Sequence, residues 1–352
     1  NKKKYITFPF FRKLWDNKFG KIKDAANKYG PSISWHVIRT YIKGWDAEAF
    51  CTPEKYKEIG IKNQSVPQNT FENVYNLVWD KWYSKLDEYW DDQDMVRFCL
   101  ENNCVEERFS AIFCDEAQDF TRLEIDFILE LSSFANRRVD NRYFNKLPFV
   151  FAGDEFQTIN PTGFSWESLS SYFTDKLCER TGVEKIKGLI PEPVELSENF
   201  RSTKQVVNLA NTIQLLRASR FGEYSTPQKH HFPIDGHQVY CIKPSDKNSI
   251  EKLKDKEVAF IVPAEEGVSA EEFIKKSTIN NVLTLENGET NPLIFTPAEA
   301  KGLEYPNVAI FGFNTNGIYS NLRISNLLSW FENPTEDTVK DIALKYQLSN
   351  SY

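Results

Sequence analysis

Apolar positions along the chain follow two different rhythms. From the N-terminus to about residue 105 they recur at helical offsets. Trp35, Val37, Ile38, Tyr41 and Ile42 form one such set, and Phe71, Val74, Tyr75, Val78, Trp82 and Leu86 form another. Both have the spacing of a buried helix face. The second set predicts one long helix from Phe71 to Tyr89. Pro53 and Pro67 mark breaks, each at the start of an expected helix, because a missing N–H is harmless in a first turn.

Beyond Phe109 the rhythm shortens. Ser110–Cys114, Pro148–Ala152, Val239–Ile242, Val258–Val262, Leu293–Phe295 and Val308–Phe311 are short apolar runs separated by helix-like segments. Such runs predict buried parallel strands. The chain is therefore read as an all-helical segment 1–105 followed by an α/β body to about 315. The loop 179–193 is the best internal boundary, dividing 106–190 from 191–315, and 316–352 reads as a polar stretch turning helical. No internal repeat is present.

Composition narrows the class. With 352 residues, 41% hydrophobic and 26% charged, the chain can bury two cores and is neither disordered nor collagen-like. No apolar run approaches the ~20 residues of a membrane span, so no membrane partner is expected. Asn1-Lys2-Lys3-Lys4 leads into an aromatic stretch rather than a signal peptide. An intracellular protein with reduced thiols is expected, cytoplasmic in a bacterium and nuclear in a eukaryote. The six Cys form no C-x-x-C pair and the four His do not join them, so zinc is a weak reading. Met95 is the single Met and the chain does not start with one, which leads to the expectation of a piece of a longer protein.

Net charge is −7, but unevenly placed: residues 1–30 hold nine Lys/Arg against two Asp/Glu. A basic arm on an acidic body is compatible with nucleic acid, since phosphates are met by local patches. Charge alone favours a solvated helix face.

Candidate chemistry follows the apolar runs, where functional groups gather in parallel sheets. Asp115-Glu116-Ala117-Gln118-Asp119 comes directly after one of them. Phosphoryl transfer needs an acid to hold Mg²⁺ and a second group to orient or deprotonate water; Asp115 and Glu116 suit those roles. Gly153-Asp154-Glu155-Phe156-Gln157-Thr158-Ile159 follows a second run, and Gln157 is placed to meet a terminal phosphate. In Leu196-Ser197-Glu198-Asn199-Phe200-Arg201-Ser202 an Arg precedes a helix; its planar fork suits phosphate oxygens. In Thr296-Pro297-Ala298-Glu299-Ala300-Lys301-Gly302-Leu303-Glu304 a hydroxyl and backbone amides are available to a nucleic-acid phosphate. Each string also has a plainer reading, as an acidic turn, a polar cap, a surface Arg and a Gly-capped helix.

In this order the four strings resemble superfamily 1 helicases of the UvrD/Rep type, over about 88–315. D-E-x-Q-D resembles their Walker B element, G-D-x-x-Q-x-I the nucleotide-sensing motif, L-x-x-N-F-R-S the motif whose Arg meets the γ-phosphate, and T-x-x-x-A-K-G-L-E the motif linking DNA and nucleotide sites. The resemblance implies two RecA-like P-loop NTPase sheets, both incomplete here, with an N-terminal helical insertion subdomain that lies beside DNA. It implies an ATP-dependent helicase or translocase on single-stranded or partly duplex DNA, in company with other proteins of a repair or defence complex. Asp115 would coordinate Mg²⁺, Glu116 would activate water, and Gln157 and Arg201 would meet the γ-phosphate. Gln118, Gly302 and Glu304 would lie at the ATP cleft, and Thr296 would meet a DNA phosphate. Phe164 and Trp166 replace the family's usual aromatic spacing; they suit base stacking or core packing. Tyr89–Asp94 resembles an acidic segment that precedes Walker B, but by its residues reads as a solvated helix end.

The departures matter equally. No G-x-x-x-x-G-K-[S/T] occurs, and the only Gly-Lys pair is Gly20-Lys21, so the phosphate-cradling loop is missing. The final V-A-x-T-R-A string is missing too. The expectation is a fragment that does not hydrolyse ATP alone; the alternative is a non-catalytic scaffold or partner-binding module.

Overall fold

Helices begin where a capping side chain precedes the apolar rhythm. Thr52 accepts a hydrogen bond from the Lys55 amide (3.4 Å) just ahead of Pro53. Asp91 with Asp94, and Thr121 with Glu124, form reciprocal capping boxes at two later helix starts. The computed structural model describes residues 3–19, 26–60, 64–135, 147–158, 164–182, 193–221, 226–231 and 236–311, the last without 238, 241, 243–245, 247, 250–252, 254–256, 265–267 and 276–292. Gly20-Lys21, Asn160–Gly163, most of the 179–193 loop and the tail 316–352 lie outside the described residues. The chain divides into two units, Asn1–Pro193 and Val194–Tyr352.

The first unit runs β1 (Lys4–Tyr5), α1 (Phe8–Phe19), α2 (Ala26–His36), a π-helical stretch (Val37–Lys43), α3 (Pro53–Glu58), α4 (Gln68–Val74), a second π-helical stretch (Tyr75–Trp79), β2 (Tyr89–Trp90), α5 (Asp92–Glu101), β3 (Ile112–Cys114), α6 (Arg122–Glu130), β4 (Phe149–Phe151) and α7 (Trp166–Thr181). The long helix expected from Phe71 to Tyr89 is interrupted. After Trp79 the chain turns into a short 3-10 segment, Tyr83–Lys85. The cause is packing: Trp82 and Tyr83 both contact Phe11, with ring centroids 5.6 and 5.5 Å away. Adjacent residues on a regular helix diverge and do not share one neighbour.

This unit has two apolar cores. One gathers Phe11, Trp15, Trp35, Tyr41, Tyr56, Phe71, Val74 and Trp82 from the helical segment. The other gathers Cys114, Ile125, Ile128, Leu129, Phe173 and Leu177, with Ile112, Phe149 and Phe151 packed against it. Strands β3 and β4 pair in parallel, Phe113 opposite Val150, with α6 in the connection between them. Alternation turns Ile112 and Cys114 to the core and leaves Phe113 77% and Val150 48% exposed. The expectation of a buried strand therefore holds for one face only, the face that α6 and α7 cover.

The second unit runs β5 (Glu198–Asn199), α8 (Lys204–Phe221), β6 (Lys229–His230), β7 (Val258–Ile261), α9 (Ala270–Lys275), β8 (Ile294–Phe295), α10 (Pro297–Ala300) and β9 (Asn307–Ile310). β5 pairs with β6, and β7 lies between β8 and β9, all in parallel. Val258, Phe260, Val262, Ala270, Ile274 and Ile294 form its core. The run at 239–242 is not a strand at Val239, Tyr240 or Ile242. Tyr240 is exposed, and none of these three residues joins a ladder.

One buried group makes stability pH-dependent. His36 lies inside the helical core, its Nε2 2.5 Å from Ser65 Oγ and its Nδ1 3.1 Å from Thr40 Oγ1. Burial, then the nearby Arg39 charge, lowers its pKa to about 4. An unfolded His protonates near 6.5, so this contribution is complete above 6.5 and is lost as pH falls towards 4, on the order of 3 kcal/mol in all. Urea unfolding of wild type and His36→Gln between pH 7 and 4.5 checks it: the advantage of wild type should shrink as pH falls. Equal pH slopes would contradict the assignment.

Candidate strand-tip site

The carboxyl end of β3 leads into a tight turn. Asp115 is exposed and its Oδ1 accepts the Glu116 amide at 2.9 Å. Glu116 has φ 54, ψ 40 and caps the 3-10 segment Ala117–Asp119. A left-handed conformation at a β-methylene residue carries strain, and strain of this kind gathers at functional positions. The turn is held against the end of β4: the Ala117 amide donates to the Ala152 carbonyl at 2.8 Å.

Gln118 is fully buried, and its carboxamide joins the two strand tips. Nε2 donates to Glu116 Oε2, and Oε1 accepts the Asp154 amide at 3.0 Å. Gly153 permits this approach, because a Cβ there would lie 2.3 Å from Gln118 Oε1. Asp154 in turn accepts from Gln157 Nε2 at 2.8 Å and from the Phe156 amide at 2.9 Å. The structure thus links Asp115, Glu116, Gln118 and Gln157 into one hydrogen-bonded set. Gln118 occupies an internal place, aiming Glu116. Asp154, which fixes Gln157, is the member that sequence reasoning passed over, although it stood inside the G-D-x-x-Q string.

The donors at this tip are oxygens, the chemistry a hard divalent cation takes. Among the described residues no cluster of three His, Cys, Asp or Glu side chains could hold a metal ion alone.

In the second unit, Asn199 Oδ1 accepts the amides of Arg201 (3.0 Å) and Ser202 (2.7 Å), shaping the turn after β5. Arg201 Nε lies 2.5 Å from Glu304 Oε1, both side chains exposed. The third and fourth strings therefore meet through the two residues expected at the nucleotide. Exposed pairs of this kind contribute little to stability, roughly 0–1 kcal/mol. Thr296 is buried and caps α10: its Oγ1 accepts the Glu299 amide, and its own amide donates to Glu299 Oε2 at 2.8 Å. Gly302 is exposed, with φ 76.

Phe164 and Trp166 pack edge-to-face at 5.1 Å, both half-buried. The acidic segment corrects its sequence reading. Asp91 and Gln93 are fully buried rather than solvated, because Lys43, Tyr83 and Thr121 supply hydrogen-bond partners. The basic arm is partly docked: Lys3 lies over the Trp90 ring at 4.9 Å.

No protein-family model matches the chain. It is similar to the TPR and ankyrin repeat-containing protein 1 of Homo sapiens, 23% identical over 334 residues. That alignment covers 89% of this chain and 10% of the human protein, so the chain spans about a tenth of the relative's length. Among the described residues no helix is long and apolar enough to cross a membrane.

Proposed function

We propose that this chain is the core of an ATP-dependent helicase or translocase moving on single-stranded DNA, the reading its four UvrD/Rep-like strings imply. The observation that carries it is the strand-tip set: a strained Glu116 aimed by a buried Gln118 and linked to Gln157 through Asp154. Asp115 would hold Mg²⁺, which neutralises phosphate charge when bound. Glu116 would orient and deprotonate the attacking water, Gln157 would meet the terminal phosphate, and Arg201 would leave Glu304 for it. Thr296 would meet a nucleic-acid phosphate, and Gly302 and Glu304 would border the nucleotide.

No G-x-x-x-x-G-K-[S/T] string occurs in the chain, so hydrolysis would require a longer parent that carries one. The test compares ATP turnover by this chain and by its parent, with and without single-stranded DNA, at low and moderate salt. Expected are no turnover by the chain and DNA-stimulated, salt-sensitive turnover by the parent. A parent that binds neither nucleotide nor DNA sinks the reading.

A second reading, a non-catalytic scaffold within a larger repair or defence complex, is favoured by the exposed apolar residues Phe113, Val150, Val308 and Ile310 and by similarity to a protein named for its repeats. A parent that binds partner proteins and no nucleotide would fit it instead.

A further inference from the structure

The two apolar cores of the first unit are joined by a polar contact, and that contact falls on the residues that follow the Glu116 turn. Phe120 donates its amide to Ala117 O (3.2 Å), and Thr121 then opens α6. Three groups from the helical half hold this helix start. The Gly44 carbonyl accepts the Leu123 amide at 3.0 Å. The fully buried Gln93 accepts from Thr121 Oγ1 at 2.8 Å and donates to Glu124 Oε1 at 3.0 Å. Arg39 bridges Asp92 (2.9 Å) and Glu124 (3.0 Å). Glu124 also accepts the Thr121 amide at 2.7 Å, which completes the capping box.

The fit is close as well as polar. A Cβ at Gly44 would collide with the Arg39 backbone carbonyl and lie 2.9 Å from both Cβ and Cγ2 of Thr121. Arg122, the next residue, lies over the Trp45 ring at 3.5 Å and over Tyr172 at 4.8 Å. Directional bonds fix orientation where apolar contact alone permits sliding.

We propose that Arg39, Gln93 and Gly44 are positioning residues for Glu116: by locking the start of α6 they fix the Ala117–Asp119 turn, and with it the direction in which Gln118 holds the Glu116 carboxylate. This rests on Glu116 acting as the base in nucleotide hydrolysis. The helical half is then part of the hydrolytic apparatus, acting through Thr121 and Glu124 without touching substrate.

The test uses Gln93→Leu, which keeps bulk and loses both hydrogen bonds, and Gly44→Ala, which keeps every side-chain polar group and crowds both Thr121 and the Arg39 carbonyl. Amide hydrogen exchange in this chain reads the turn without any nucleotide. Loss of a buried hydrogen bond corresponds to about a tenfold change, so exchange at Ala117, Asp119 and Phe120 should rise by about that factor. Exchange within α7 and at Tyr56 and Phe71 should stay at the wild-type rate. In the hydrolysing parent, kcat should fall with KM unchanged. The proposal is overturned if both variants fold and the turn amides exchange as in wild type, if exchange rises equally in α7 and the helical core, or if kcat is untouched while the turn loosens. Glu116→Gln in the same parent separates the two levels: turnover unaffected by that change removes the base assignment itself, whereas turnover lost there but retained in both positioning variants removes only this proposal.

Discussion

Replacing Glu116 by Gln in the hydrolysing parent is expected to lower ATP turnover by about 10²–10⁴-fold, the range a positioned general base contributes, while nucleotide binding is retained. The substitution is close to isosteric, so the backbone at φ 54 and the 3-10 segment after it have no new steric demand. What changes is the hydrogen-bond partner of Gln118. Its Nε2 donates to a carboxylate oxygen in wild type and would meet either an amide oxygen or, unfavourably, an amide nitrogen. The amide oxygen is available, so the Gln118 bridge to the Asp154 amide (3.0 Å) should survive. The loss is then chemical: a neutral amide accepts no proton from water. Single-turnover hydrolysis together with equilibrium nucleotide binding checks both halves. Retained turnover would take Glu116 out of the base role, and lost binding would make it a ligand of the nucleotide or its cation.

The parts of this site that were legible in the sequence are those made by neighbours in the chain. An apolar run followed by D-E-A-Q-D or G-D-E-F-Q announces a strand and the polar turn after it; β3, β4, β7 and β8 lie within apolar runs and β9 overlaps one. The bridge between the turns was not legible, because it depends on Gln118 pointing inward across β4, and a Gln carries no period of its own. The polar contact on α6 was hidden for a related reason. Arg39 and Lys43 sit inside an apolar helical pattern, and Asp91–Asp94 reads as a solvated acidic end until their partners, 48–53 positions away, are known. The long helix after Phe71 failed because hydrophobic spacing reports which residues are buried. It does not report that Trp82 and Tyr83 must reach the same ring.

Lys43→Met should destabilise the first unit by about 3–5 kcal/mol, the loss that follows when one partner of a buried ion pair is removed. The Lys43 ammonium lies 2.7 Å from Asp91 and 2.6 Å from Asp94, with side-chain exposures of 4% for Lys43 and 1% for Asp91. Its charge also sits 4.8 Å from the Tyr83 ring centre, and the Tyr83 hydroxyl donates to Asp91 at 2.8 Å. Burial works against the Asp91 charge, yet the Lys43 ammonium and the hydrogen bonds from Lys43, the Asp94 amide and Tyr83 hold its carboxyl below the usual carboxylate range. In the Met variant only burial and the hydrogen bonds remain, and two carboxylates face one another without a cation. The variant escapes by protonating one of them, so its deficit should be largest at neutral pH and shrink as pH falls towards about 4, where free carboxylates titrate. Urea unfolding at pH 7 and pH 4.5 reads both the size and the sign. Lys55→Met is the control: its partner Asp46 lies 3.3 Å away, with side chains 45% and 34% exposed, so its loss should amount to no more than roughly 1 kcal/mol. A Lys43 deficit as small as that of Lys55, or one that grows towards acid pH, would mean that Asp91 does not carry its charge in the folded protein. The effect should also reach the site, because Asp91 caps α5, whose first turn holds Gln93 and Asp94. Freeing that helix start loosens the Gln93 contact with Thr121, so exchange at the Ala117–Asp119 turn should rise in Lys43→Met and stay unchanged in Lys55→Met.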